Sequence, residues 1–158
     1  MYFINIKQLK EDIINDDFGE GKQFIYFFVF LVLNTIFFEL GVLIPAEEAT
    51  FLDYFDSIFL IISTLVGTYF MYKGNTSEKG KDFIGRYFAI TWVVFIRLII
   101  PLFITSFILL VAYSYIDVIS DFYLDVLVSL IFSIYIVLGY FYSYKHIVDI
   151  NKRMIIEQ

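Results

Sequence analysis

Apolar residues in this chain are gathered into four long runs, at about residues 24–44, 53–72, 83–113 and 126–144. Each run is long enough to cross a hydrocarbon layer about 30 Å thick, which takes about 20 apolar residues in a helix. In lipid, backbone N–H and C=O groups must find partners inside the segment or in a closed barrel. Barrel strands are about 10 residues long and alternate apolar with polar positions. A stretch such as Phe24-Ile25-Tyr26-Phe27-Phe28-Val29-Phe30 does not alternate. The pattern therefore predicts an all-α membrane protein with four transmembrane helices, the transmembrane domain covering residues 24–144.

Before the first run the pattern changes. Phe3, Ile6, Leu9, Ile13 and Ile14 recur at near-helical spacing, with Lys7, Lys10, Glu11 and Asp12 between them. Residues 1–23 are expected to form a short amphipathic helix at the inner leaflet or against the cytoplasmic helix ends, with a hinge at 17–21. Charge precedes the first run, the run exceeds a signal-peptide core and no small-residue cleavage pattern follows, so it is read as a span retained in the mature chain. After the last run, residues 145–158 are expected to continue the fourth helix as a partly polar cytoplasmic tail.

Charge then fixes the expected orientation. Of the 11 Lys and Arg, Lys7, Lys10 and Lys22 precede the first span, Lys73, Lys79, Lys81 and Arg86 surround the middle loop, and Lys145, Lys152 and Arg153 follow the last span. The remaining one, Arg97, is inside the third span, and the other two loops have none. The positive-inside rule predicts both termini and the middle loop in the cytoplasm of a multi-pass cell-membrane protein, with a bacterial inner membrane the expected setting. Glu47, Glu48, Asp53, Asp56, Asp117, Asp121 and Asp125 gather instead at the two opposite loops. Uncompensated carboxylates there could concentrate cations at a pore mouth, although solvated loop acids are also common. Tyrosines near the span ends, among them Tyr72, Tyr87, Tyr113 and Tyr144, fit the headgroup level. The net charge of -6 argues against nucleic-acid binding through bulk positive charge, and the absence of Cys excludes disulfides and thiolate metal sites.

Within the spans the polar residues stand out. Arg97 is about 20 Å along the third helix from Phe83 at 1.5 Å per residue, and Glu39 is at similar depth in the first span, which runs the same way. An intramembrane Arg should face protein or water and find a partner. An Arg97–Glu39 ion pair is the structural expectation; Arg97 lining a conduction path near Pro101 is the functional one. In the second span Asp53, Asp56, Ser57, Ser63, Thr64, Gly67 and Thr68 share one side of the helix, and in the fourth Asp125, Ser129, Ser133, Tyr140 and Ser143 form a weaker stripe. Ser63-x-x-x-Gly67 and Ser129-x-x-x-Ser133 match the small-residue spacing of close helix packing in lipid. The competing expectation is that Asp53, Asp56, Ser57, Thr64 and Thr68 line a pore between copies of the chain.

Little else suggests chemistry. Gly74 and Gly80-Lys81 do not make a phosphate-binding loop, because the glycines are five residues apart and Asp82 stands where Ser or Thr is needed. Lys73, Lys79, Lys81 and Arg86 could still meet an anionic lipid, nucleotide or oligonucleotide if repeated around an inner mouth. Asn75-Thr76-Ser77 matches a glycosylation sequon but falls on the expected cytoplasmic side. His146 is the sole histidine and has no ligand cluster or nucleophile at useful spacing, so neither a metal, a cofactor nor an enzyme is expected.

The plan resembles, in architecture alone, small four-helix membrane effectors and immunity proteins of bacterial conflict systems. The leading expectation is a homo-oligomeric ion channel. It would act as a membrane-depolarising effector of anti-phage defence, gated by an anionic ligand at its basic face. The alternative is a non-conducting accessory or immunity protein that packs against another membrane protein through its small residues.

Overall fold

A computed structural model describes residues 1–43, 48–76, 82–115 and 121–156. These form five helices: α1 (Ile6–Ile14), α2 (Glu20–Leu43), α3 (Phe51–Gly74), α4 (Phe83–Tyr115) and α5 (Asp121–Ile156). The described residues contain no strand. Four helices, α2 through α5, are long and apolar enough to cross a membrane, which makes the chain a multi-pass membrane protein by length and composition.

Local chemistry explains the helix ends. Asn5 caps α1 by accepting from the Gln8 N–H at 3.2 Å. Asp16 follows with φ 61°, the left-handed conformation that Asp tolerates better than most residues and that ends a helix. Thr50 and Asp53 make a capping box on α3: the Asp53 carboxylate accepts from the Thr50 N–H at 2.7 Å, and the Thr50 hydroxyl accepts from the Asp53 N–H at 3.4 Å. Pro101 is inside α4, where it supplies no N–H; Thr105 donates back to the carbonyls of Pro101 and Leu102 at 3.0 and 2.9 Å.

α3 packs along α5, α5 along α4, and α4 along the first half of α2. α1 rests on α4 and α5. The buried core therefore lies at one end of the bundle, where Leu9 and Ile13 of α1 meet Met71, Ala89, Ile90, Val93, Ile147 and Ile150. Three close approaches tighten the seams. A side chain at Gly67 would strike Tyr140, one at Gly139 would strike Phe95, and one at Gly85 would strike Gln23.

The other end is open. Ile100, Phe103, Ile104, Phe107 and Ile108 on α4 are exposed, and every side chain from Asn34 to Gly41 on α2 is exposed. The helices pack as a bundle near α1 and leave long apolar surfaces beyond it.

Candidate functional site

Three polar groupings occupy this frame, and the first joins the ends of α3, α4 and α5. Arg86 is buried on α4 and donates through one terminal nitrogen to Asn75 Oδ1 and Asn151 Oδ1, each at 3.1 Å, while the other reaches Met154 Sδ at 3.4 Å. Asn151 also donates to the Gly74 carbonyl at 2.6 Å. A buried guanidinium needs its donors satisfied because desolvation is costly. Neutral oxygens serve that need here, and no carboxylate among the described residues is in ion-pair reach.

The second grouping fastens the N-terminal segment. The Tyr26 hydroxyl accepts from the Tyr2 N–H at 2.6 Å and donates to the Tyr2 carbonyl at 3.3 Å. Asp12 accepts from Tyr2 Oη at 2.9 Å and from Lys22 at 2.6 Å. Burial pushes the Asp12 carboxyl up, but the hydrogen bonds from Lys22 and Tyr2 and the charge of Lys22 outweigh it and hold the group below its ordinary value. The Tyr2 phenol is pushed up, first by its hydrogen bond to the Asp12 carboxylate. Lys10 pairs with Asp149, which Arg153 also approaches at 3.5 Å. Phe3 packs edge-on against Trp92, and Arg97 Nε donates to the Ile4 carbonyl at 2.7 Å.

The third grouping is the α3 stripe. Asp56 accepts from Ser129 Oγ at 2.5 Å, Thr68 bonds to the Tyr87 hydroxyl at 3.2 Å, and Thr64 lies beside Tyr140. These residues face α4 and α5 of the same chain. Asp53 and Ser57 are exposed, and Asp53 spends its carboxylate on the Thr50 cap. A groove of about 280 Å³ opens beside Asp56, Ser57 and Ser133. Of the five pore-lining candidates, then, Thr64, Thr68 and Asp56 are engaged within one copy, while Ser57 and Asp53 stay at its surface. The Thr50-x-x-Asp53 spacing ahead of an apolar run was the available signal for the cap.

Among the described residues Glu39 and Arg97 make no ion pair within one chain, so of the two arrangements open to the expected pair, within a chain or between chains, the first is not seen. The cause is azimuth rather than depth. α2 lies against the Phe88 side of α4, where Phe27 and Phe30 pack on that ring at 5.1 and 5.0 Å. Arg97 is nine residues beyond Phe88, about 900° at 100° per residue, and so points to the opposite side of α4. Glu39 is likewise nine residues beyond Phe30 and points away from α4.

Two of the four candidates for an anionic ligand, Lys73 and Arg86, are among the described residues. Lys73 lies over the Tyr69 ring at 5.0 Å, Arg86 is buried in the helix junction, and Lys79 and Lys81 fall outside the described residues. Among the described residues, Glu48, Asp53 and Asp125 are exposed at the end of the bundle where α3 and α5 begin, and no Lys or Arg lies there. Comparison with protein-family models, curated proteins and solved structures finds no match to the chain.

Proposed function

We propose that the chain is the subunit of a homo-oligomeric membrane channel that conducts cations. The observation that carries this is the exposed second half of α2, which bears Asn34, Thr35 and Glu39 on a helix of membrane-spanning length and stands at the surface of one copy from Asn34 to Gly41. Polar and ionisable side chains in such a helix are costly unless they meet protein or water. Neighbouring copies would supply both. A single copy offers no lumen along α3, since Thr64, Thr68 and Asp56 are spent on contacts with α4 and α5. A path must therefore run between copies. The exposed carboxylates Glu48, Asp53 and Asp125 at one end, with no cation beside them, favour cations over anions.

The accessory-protein alternative is less well supported. It needs Ser63, Gly67, Ser129 and Ser133 for a foreign helix, whereas Tyr140 covers Gly67 and Asp56 accepts from Ser129 within the chain. Gating by an anionic ligand stays in the proposal with Lys73, Lys79 and Lys81 as its contacts; Arg86 is left out because it is buried.

Planar-bilayer recording from purified protein tests the channel. Discrete current steps are expected, with a reversal potential that follows the cation gradient. Asp53→Asn with Asp125→Asn should lower the cation-to-anion permeability ratio. Folded, oligomeric protein that stays silent at every voltage, with and without nucleotides or anionic lipid, would refute conduction.

A further inference from the structure

Glu39 is left over by the fold among the described residues, and Arg97 is only partly used by it. On α2, Asn34 and Thr35 turn back to the carbonyls of Phe30 and Leu31 at 2.8 and 3.0 Å. Glu39 has no hydrogen bond or ion pair among the described residues. On α4, Arg97 is exposed, and of its nitrogens only Nε is engaged, on Ile4, among the described residues. Each is flanked by exposed apolar residues on its own face. Ile100, Ile104 and Ile108 continue the Arg97 face and are 62%, 54% and 59% exposed, while Ile36 and Leu43 flank Glu39 at 47% and 76%.

The two charges also stand at nearly the same height. Gln23 of α2 lies against Gly85 of α4, and both helices run the same way from that point. At 1.5 Å per residue Glu39 lies about 24 Å beyond Gln23, and Arg97 about 18 Å beyond Gly85. The difference of about 6 Å is within the combined reach of a glutamate and an arginine side chain.

Resting on the homo-oligomeric reading above, we infer that copies of this chain join head to tail around an axis along the membrane normal, with Glu39 of one copy paired to Arg97 of the next. Rotation about the membrane normal preserves height, so only groups at matched depth can meet. The two charges point outward from opposite sides of the α2–α4 pair. A two-fold contact would set Glu39 near Glu39, whereas a heterologous contact joins unlike faces and closes into a ring. The pairing satisfies both charges and covers the isoleucine face of α4 with the outer half of the neighbour's α2.

The chain has no Cys, so single thiols can be introduced without background. A paired Glu and Arg hold their Cβ atoms too far apart for a disulfide, so a short bismaleimide is the suitable linker. Protein carrying both Glu39→Cys and Arg97→Cys, in lipid nanodiscs and liposomes, should give a ladder of multimers. Either single variant should give no ladder, and separately tagged single variants mixed together should give the mixed dimer. Glu39→Arg and Arg97→Glu should each reduce the oligomer seen by native mass spectrometry, and the two combined should restore it. Two results overturn the joint and leave the homo-oligomer standing: an oligomer by native mass without the ladder, or a charge swap that fails to restore assembly in protein keeping its native helix content by circular dichroism. A fast-migrating, internally linked monomer overturns the joint as well. A monomer by native mass in lipid overturns both the joint and the homo-oligomer.

Discussion

Arg97 donates to the backbone carbonyl of Ile4, 93 residues away in sequence, at 2.7 Å. A cation within the third long helix thus holds the segment that precedes the first. A charged donor contributes about 1.5–3 kcal/mol to a hydrogen bond, and exposure lowers that. Arg97→Met is expected to raise hydrogen exchange in residues 2–9 by about tenfold, with little change in the α3–α5 seam; uniform exchange across both would show that the contact does not hold the segment.

Leu9 is fully buried between α4 and α5. Leu9→Ala should cost about 2–5 kcal/mol, the range for removing a buried leucine side chain. Trp92 is the only tryptophan and packs on Phe3. Its emission should shift to the red as the segment leaves, giving a direct reading of docking during denaturant titration.

Acid should loosen the same segment. The folded Asp12 carboxyl titrates below its ordinary value. The stability it contributes is therefore present above the unfolded value and is lost as pH falls through the folded one. Its pair with Lys22 is partly exposed, so the effect amounts to at most about 1 kcal/mol. Trp92 emission followed from neutral pH down to about pH 3 should show a transition in the native chain that Asp12→Asn diminishes.

Gly139 faces Phe95 so closely that an added Cβ would lie 2.4 Å from the ring. Gly139→Ala should destabilise the α4–α5 seam by about 1–3 kcal/mol through overpacking. The drop in Tm in detergent should be partly reversed when Phe95→Leu makes room. Equal loss in the single and double variants would place the strain elsewhere.

Much of the architecture was legible because lipid imposes length and apolarity on each crossing. The runs at 53–72 and 83–113 lie inside α3 (Phe51–Gly74) and α4 (Phe83–Tyr115). Facing was not legible. Depth along a helix follows from counting residues, and that count set Glu39 beside Arg97. Which side of α4 receives α2 depends on Phe88 and its two phenylalanine neighbours, and no periodicity in α4 marks that side, since it is apolar nearly all round. The α3 stripe shows the same limit. Hydroxyls and small residues suit both a wet wall and a tight seam, and the bond from Thr68 to Tyr87 depends on a residue of another helix that the stripe itself does not show. Asp53 carries a local role besides, since its spacing from Thr50 suits a cap.

Asn151 bonds at once to the last carbonyl of α3 and to the guanidinium near the start of α4. The end of α3 and the start of α4 are thereby yoked to α5 through one side chain, and Asn151→Ala would release both from it at a single stroke.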